Sequence, residues 1–147
     1  MQLNSDIINK VQYLVGSTDV ANRLPETSAR IPFDDSITEF LNDVSRILMK
    51  DPRSKAYSDV VTFGFWIRKS SILKLKERFE AKDDNLHFGK GVAFHIAPSN
   101  VPVNFAYCLV AGLLCGNANV VRVPSRNFPQ VMIITEAFNK ALNDHAT

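Results

Sequence analysis

The segment GVAFHIAPSNVPVNFAYCLVAGLLCGNANVVRVPS, Gly91 to Ser125, constrains this chain more than any other. It alternates strand-like runs with one apolar helical run and marks each joint with Pro, Asn, Gly or Ser. Val92, Phe94 and Ile96 point one way and Ala93, His95 and Ala97 the other, so both faces of the first run are mostly apolar. That pattern predicts an interior strand of a parallel sheet over Gly91 to Ala97. Val103 to Cys115 reads as a buried helix, with Gly116 placed where a left-handed residue ends it. Asn119 to Val123 reads as a second strand, and Pro129 to Leu142 as a helix with proline in its first turn. Strand, helix, strand, helix with short connections is a βαβα unit. Its two strands are expected to be parallel, with a right-handed crossover.

Upstream the pattern is helical. Ile7, Ile8, Val11, Leu14 and Val15 fit an apolar stripe, although a strand remains open. Leu24-Pro25 and Ile31-Pro32 punctuate the chain. Ser36 with Glu39 reads as a capping box, opening a helix whose apolar face is Ile37, Phe40, Leu41, Val44, Ile47 and Leu48. Asp51-Pro52 closes it. A second helix from Ser58 carries Val60, Val61, Phe63, Phe65, Trp66 and Ile67, apolar nearly all round and so expected to be buried. A third covers Ser71 to Ala81, and Lys82 to Asn85 reads as a turn. The expected division is an N-terminal segment (1–35), a helical region (36–85) and the start of an α/β domain (86–147).

Composition narrows function by exclusion. A formal net charge of +2 over 147 residues is not that of a dedicated nucleic-acid binder. Arg68, Lys69, Lys74, Lys76 and Arg78 cluster as a solvated helix face rather than a phosphate site. The longest apolar run, Phe105 to Gly116, has about twelve residues, short of the 18–20 that a membrane-spanning helix needs. The N-terminal stretch has neither a basic leader nor a continuous apolar run, so a cytoplasmic protein is expected. Cys108 and Cys115 would lie about 10.5 Å apart along one helix, too far for a disulfide. No Cys/His spacing suits zinc, and both cysteines read as small buried hydrophobes.

Three further features carry no chemistry. Gly89-Lys90-Gly91 imitates the opening of a dinucleotide fingerprint, but Phe94 fills the third glycine position and a strand follows rather than precedes it. His95 reads as a packed core residue, while His87 and His145 have no evident partner in sequence. Asp83 and Asp84 read as turn residues, not a catalytic pair.

Ligands of open α/β sheets bind beyond the carboxyl ends of the strands. Those ends here are Pro98-Ser99-Asn100-Val101-Pro102 and Arg122-Val123-Pro124-Ser125. Asn100 offers an amide donor for a developing oxyanion and Arg122 a fork for a phosphate. The bland alternative is that Asn100 caps the helix and Arg122 is a surface charge.

The stretch HIAPSNVPVNFAYCLVAGLLCGNANVVRVPSRNFP resembles the aldehyde dehydrogenase superfamily, and most closely its LuxC-type acyl-CoA reductases. AYSDVVTFGFWIRKSSILKLKERF is similar to the segment that precedes the nucleotide-binding unit in that branch. The resemblance spans about Phe40 to Pro129. It implies the front part of an NADPH-dependent reductase making fatty aldehyde from acyl-CoA or an acyl-protein thioester through a cysteine acyl-enzyme.

By that resemblance Asn100 supplies half of the oxyanion hole. Ala97, Pro98 and Ser99 lie along the cofactor, and Arg122, Pro124 and Ser125 lie beside the adenosine ribose. Ser99 departs from the Trp common in the wider family. Val123 stands where the wider family carries Lys, so Arg122, Ser125 and Arg126 compete for the ribose contact. The nucleophilic cysteine belongs to a catalytic domain outside these residues. The family's acyl-transferase and synthetase subunits are implied partners, and a homo-oligomer is implied at full length. The chain's ending after two strands agrees with a partial aldehyde-dehydrogenase-like nucleotide-binding βαβα unit preceded by a helical layer. The alternatives are an NAD-dependent aldehyde dehydrogenase of another branch, a non-catalytic nucleotide-binding or partner module, and a small complete α+β domain.

Overall fold

A computed structural model describes residues 10–82 and 85–145. Ile7, Ile8, Asp83 and Asp84 lie outside that range, so the first part of the N-terminal stripe and half of the proposed turn do too. Within it, Val11 to Val15 form bends rather than a helix. Val11 and Leu14 are exposed, and only Val15 packs against the core. Apolar spacing alone does not form a helix where nothing covers the stripe.

Six helices and two strands follow: α1 (Thr18–Arg23), α2 (Asp35–Lys50), α3 (Ser58–Trp66), α4 (Lys69–Glu80), β1 (Val92–Ile96), α5 (Asn104–Leu114), β2 (Ala118–Arg122) and α6 (Pro129–His145). Short 3-10 turns, Leu24–Glu26 and Pro52–Ala56, open on the prolines that punctuate the sequence.

Helix α2 begins earlier than the expected capping box. Its cap is Asp34, whose carboxylate accepts the Ser36 backbone N–H at 2.9 Å and also bonds the Ser36 hydroxyl. An ionised acceptor outcompetes the serine for the orphan N–H groups. Glu39 is drawn off to an ion pair with Lys69 at the start of α4. The apolar face is as expected. Leu41, Val44 and Leu48 are buried, and Ile37, Phe40 and Ile47 pack half-buried against the core. Each fully buried aliphatic side chain contributes about 1.5–3 kcal/mol. Asp51 closes α2 and caps the next turn, accepting the Arg53 N–H at 2.9 Å.

Helix α3 is less buried than its composition predicts. Val60, Phe63 and the adjoining Ile67 are in the core, but Phe65 is 47% exposed, with the Arg68 guanidinium over its ring at 5.4 Å. Ile72 is the one fully buried residue of α4, and Thr62 and Phe65 of α3 are left exposed.

The sheet has two parallel strands in the order β1-β2, in register from Val92↔Ala118 to Ile96↔Arg122. Helix α5 lies on the face of Ala93, His95, Asn119 and Val121. The other face corrects the expectation of an interior strand: Val92, Phe94 and Ile96 are 48%, 64% and 68% exposed. Leu86 and Phe88 extend the exposed apolar surface upstream. One core joins the helical region to the α/β unit. Phe40 of α2 meets Phe138 of α6 at 5.9 Å, and Phe63 of α3 meets Tyr107 of α5 at 5.1 Å.

Candidate functional site

The glycine that ends α5 fixes the first joint. Gly116 has φ +80°, its N–H bonds the Leu113 carbonyl at 2.9 Å, and the Asn117 N–H reaches back to Gly112 at 3.1 Å. These are the paired bonds of a Schellman motif. Asn117 then accepts the Lys90 backbone N–H at 2.6 Å, which ties the approach to β1 to the approach to β2. Lys90 and the glycines beside it form a stretch bending at Gly91 (φ +106°), not a phosphate loop.

Between the strands and α5 lies a polar contact that sequence reasoning missed. The Asn119 amide N–H donates to the Asn117 carbonyl at 2.7 Å, leaving its Oδ1 to meet His95 Nε2 at 2.9 Å. The amide nitrogen is committed, so Oδ1 accepts and His95 carries its proton on Nε2. Gly112 sits directly above. A Cβ there would fall 1.8 Å from Asn119 Oδ1 and 2.9 Å from His95 Nε2. The single glycine inside α5 was the available signal, since such a residue marks close approach.

At the carboxyl edge, the register Ile96↔Arg122 sets the two joints side by side. Ala97 is buried, whereas Pro98, Ser99 and Asn100 are exposed. Asn100 does not cap α5, because the cap position is Val103 and no side chain bonds the helix end. The Ala106 N–H in the first turn of α5 is engaged by the Val103 carbonyl at 3.0 Å, while the Asn100 amide has no bond among the described residues. On the second joint Pro124 is buried, and Arg122, Ser125 and Arg126 are exposed. Pairing with Ile96 puts Arg122 on the sheet face away from α5, whereas Ser125 and Arg126 follow in the bend before α6. The structure thus brings both joints to one edge. It records no bond between Asn100 and the basic residues.

The remaining sequence candidates resolve individually. Cys108 is half-buried and Cys115 exposed, both as free thiols, so Cys115 is not the buried hydrophobe expected. It sits at the C-terminal cap of α5, past the last covering turn. His145 pairs with Asp43 at 3.0 Å, and His87 stacks edge-on against Phe79. Within the basic cluster of α4, Lys69 and Lys76 make cross-helix ion pairs with Glu39 and Asp35. No group of three or more metal-ligating side chains occurs among the described residues. No helix there is long and apolar enough to cross a membrane.

The family model for acyl-CoA reductase (LuxC) matches residues 69–145, more than half of the chain. The chain belongs to the LuxC acyl-CoA reductase family. The match opens at the first residue of α4 and runs through both joints to the end of α6. The Gly64 to Arg68 stretch that carried part of the sequence resemblance lies just outside it. No curated protein and no solved structure matches the chain at the significance required.

Proposed function

We propose that this chain is the front part of an NADPH-dependent acyl-CoA reductase, and that the edge carrying Asn100 and Arg122 is one wall of its cofactor and acyl site. The carrying observation is the Ile96↔Arg122 register, which aligns two proline-bounded joints on the carboxyl edge of a parallel sheet, in a chain of the LuxC family. The uncapped α5 N-terminus, the exposed Asn100 amide and the exposed guanidinium groups of Arg122 and Arg126 suit an anionic dinucleotide. When bound, NADPH supplies the hydride.

Asn100 donates its amide N–H to the acyl oxygen as negative charge builds there. Pro98 and Pro102 limit the backbone freedom of the joint, so the donor is held before the reaction begins. Arg122, Ser125 and Arg126 are the candidates for the ribose end, with Ala97, Pro98 and Ser99 lining the strand end and Pro124 holding the second turn. The acyl-accepting cysteine belongs to a catalytic domain beyond these residues, and residues 86–147 open an aldehyde-dehydrogenase-like nucleotide-binding domain behind helices 36–85. The bare apolar face of Val92, Phe94 and Ile96 supports this reading, because parallel sheets are normally covered on both faces. Acyl-transferase and synthetase subunits are the proposed partners, and the cytoplasm the proposed location.

The test is NADPH binding followed by nicotinamide fluorescence, together with reduction of an acyl-CoA by the longer polypeptide. The 147 residues alone are expected to bind NADPH weakly and to reduce nothing. In the longer enzyme Asn100→Ala should lower the rate about 10²–10³-fold with NADPH affinity retained. Turnover of acyl-CoA by the 147-residue chain would overturn the placement of the nucleophile. Preference for aldehyde oxidation with NAD would favour the other branch.

A further inference from the structure

The far end of α5 from Asn100 carries an open groove of about 370 Å³, within the range of small-ligand pockets. Phe33, Trp66, Phe79 and Leu114 give it an apolar lining, and Arg78 and Lys82 stand at its rim. Among the described residues no acidic side chain lines it and neither cation makes an ion pair. Phe33 is held there in a left-handed backbone, φ 55°, rare for a bulky residue. Its N–H bonds the Leu114 carbonyl at 2.8 Å and its ring lies 5.5 Å from that of Phe79.

An apolar trough whose two rim cations have no ion-pair partner among the described residues complements one chemistry: an alkyl chain ending in an anion. We propose that this groove binds the acyl chain of a single-chain fatty acid, with Arg78 and Lys82 taking the carboxylate. The choice of an acyl occupant rests on the acyl-CoA reductase reading. The groove itself is a second site, because the eleven residues of α5 hold it about 16 Å from the Asn100 joint. A chain bound here cannot present its carbonyl to Asn100, so the site would sense or store fatty acid rather than reduce it.

Trp66 is the only tryptophan in the chain and lines the groove, and the exposed Cys115 lies beside it. Both report on occupancy without any turnover. Dodecanoate is expected to shift Trp66 emission to shorter wavelength in a saturable way and to slow alkylation of Cys115 in a Cys108→Ser background, whereas acetate does neither. Arg78→Glu, at an exposed position, should weaken the response about tenfold, the loss of one charge-assisted contact. Ala111→Phe, which fills the trough from an exposed position, should abolish it while the circular dichroism melt is retained. A flat titration, or equal affinity in wild type and Arg78→Glu, overturns the proposal. So does an emission shift that follows protein concentration instead of dodecanoate, since a second copy would then cover the groove. NADPH binding is independent of these readouts, so failure here and failure of the reductase reading are separable.

Discussion

His95 and Asn119 meet side chain to side chain at 2.9 Å across neighbouring parallel strands, directly beneath Gly112 of the covering helix. Ala93, not His95, is the register partner of Asn119, so the contact is a diagonal one. It pins β1 against β2 one step before the joints that carry Asn100 and Arg122. The helix can lie on this polar pair only because position 112 has no side chain.

Gly112→Ala should therefore destabilise the fold, although alanine is ordinarily the better helix residue. The new Cβ overlaps Asn119 Oδ1 at 1.8 Å, and overpacking of this kind costs about 1–3 kcal/mol. A thermal melt should fall by about 2–4 °C for each kcal/mol lost. The double variant Gly112→Ala/Asn119→Ala should recover part of the loss, because the overlapping atoms are then gone. Simple additivity of the two changes would place the strain elsewhere.

Gly116→Ala should cost more than the usual penalty of about 1–2 kcal/mol for a left-handed residue. Besides φ +80°, the Cβ would stand 2.1 Å from the Arg30 carbonyl oxygen. Arg30 bridges this turn, its N–H bonding Gly116 and its carbonyl accepting from Gly89. Amide exchange at Arg30 and Gly89 should accelerate along with the drop in melting temperature, which a purely local effect would not produce.

Ser54→Ala should leave stability unchanged or raise it by up to about 1 kcal/mol. Ser54 is 2% exposed and its hydroxyl has no partner among the described residues, while its backbone N–H and carbonyl both stay engaged. Removing a buried polar group that lacks a partner removes a desolvation cost. A lower midpoint in urea would refute this.

Stability should fall at both pH extremes for identifiable reasons. Asp34 is held below the usual carboxylate range by the Ser36 hydroxyl, and Asp51 by the Arg53 guanidinium. Folded values below the unfolded ones mean that these contributions are present above about pH 4 and are lost as pH falls through the lowered values. Asp51→Asn should flatten the acid limb of a melting-temperature profile. Tyr107 is pushed up by burial, with the charge of Asp59 adding to it. Its contribution is full below about pH 10 and is lost above it. Absorbance titration should find one of the three tyrosines ionising last, together with unfolding.

The sequence by itself determined the elements whose signals are local. Helix α5 ends at Gly116 because only glycine takes that backbone freely, and α2 ends at Asp51-Pro52 because proline cannot continue it. The βαβα order, the parallel pairing and the placing of Asn100 and Arg122 at strand ends follow from periodicity and punctuation between Gly91 and Ser125. Tertiary structure decided what depends on partners distant in sequence. Glu39 left its expected cap role for Lys69, thirty residues on. His145 found Asp43, Cys115 emerged at the surface, and Asn100 was left uncommitted by a helix that begins at Asn104. Burial was least legible: β1 reads as apolar on both faces, yet only the face beneath α5 is covered. Composition records what a residue can bury. Only the packed chain decides whether something lies against it.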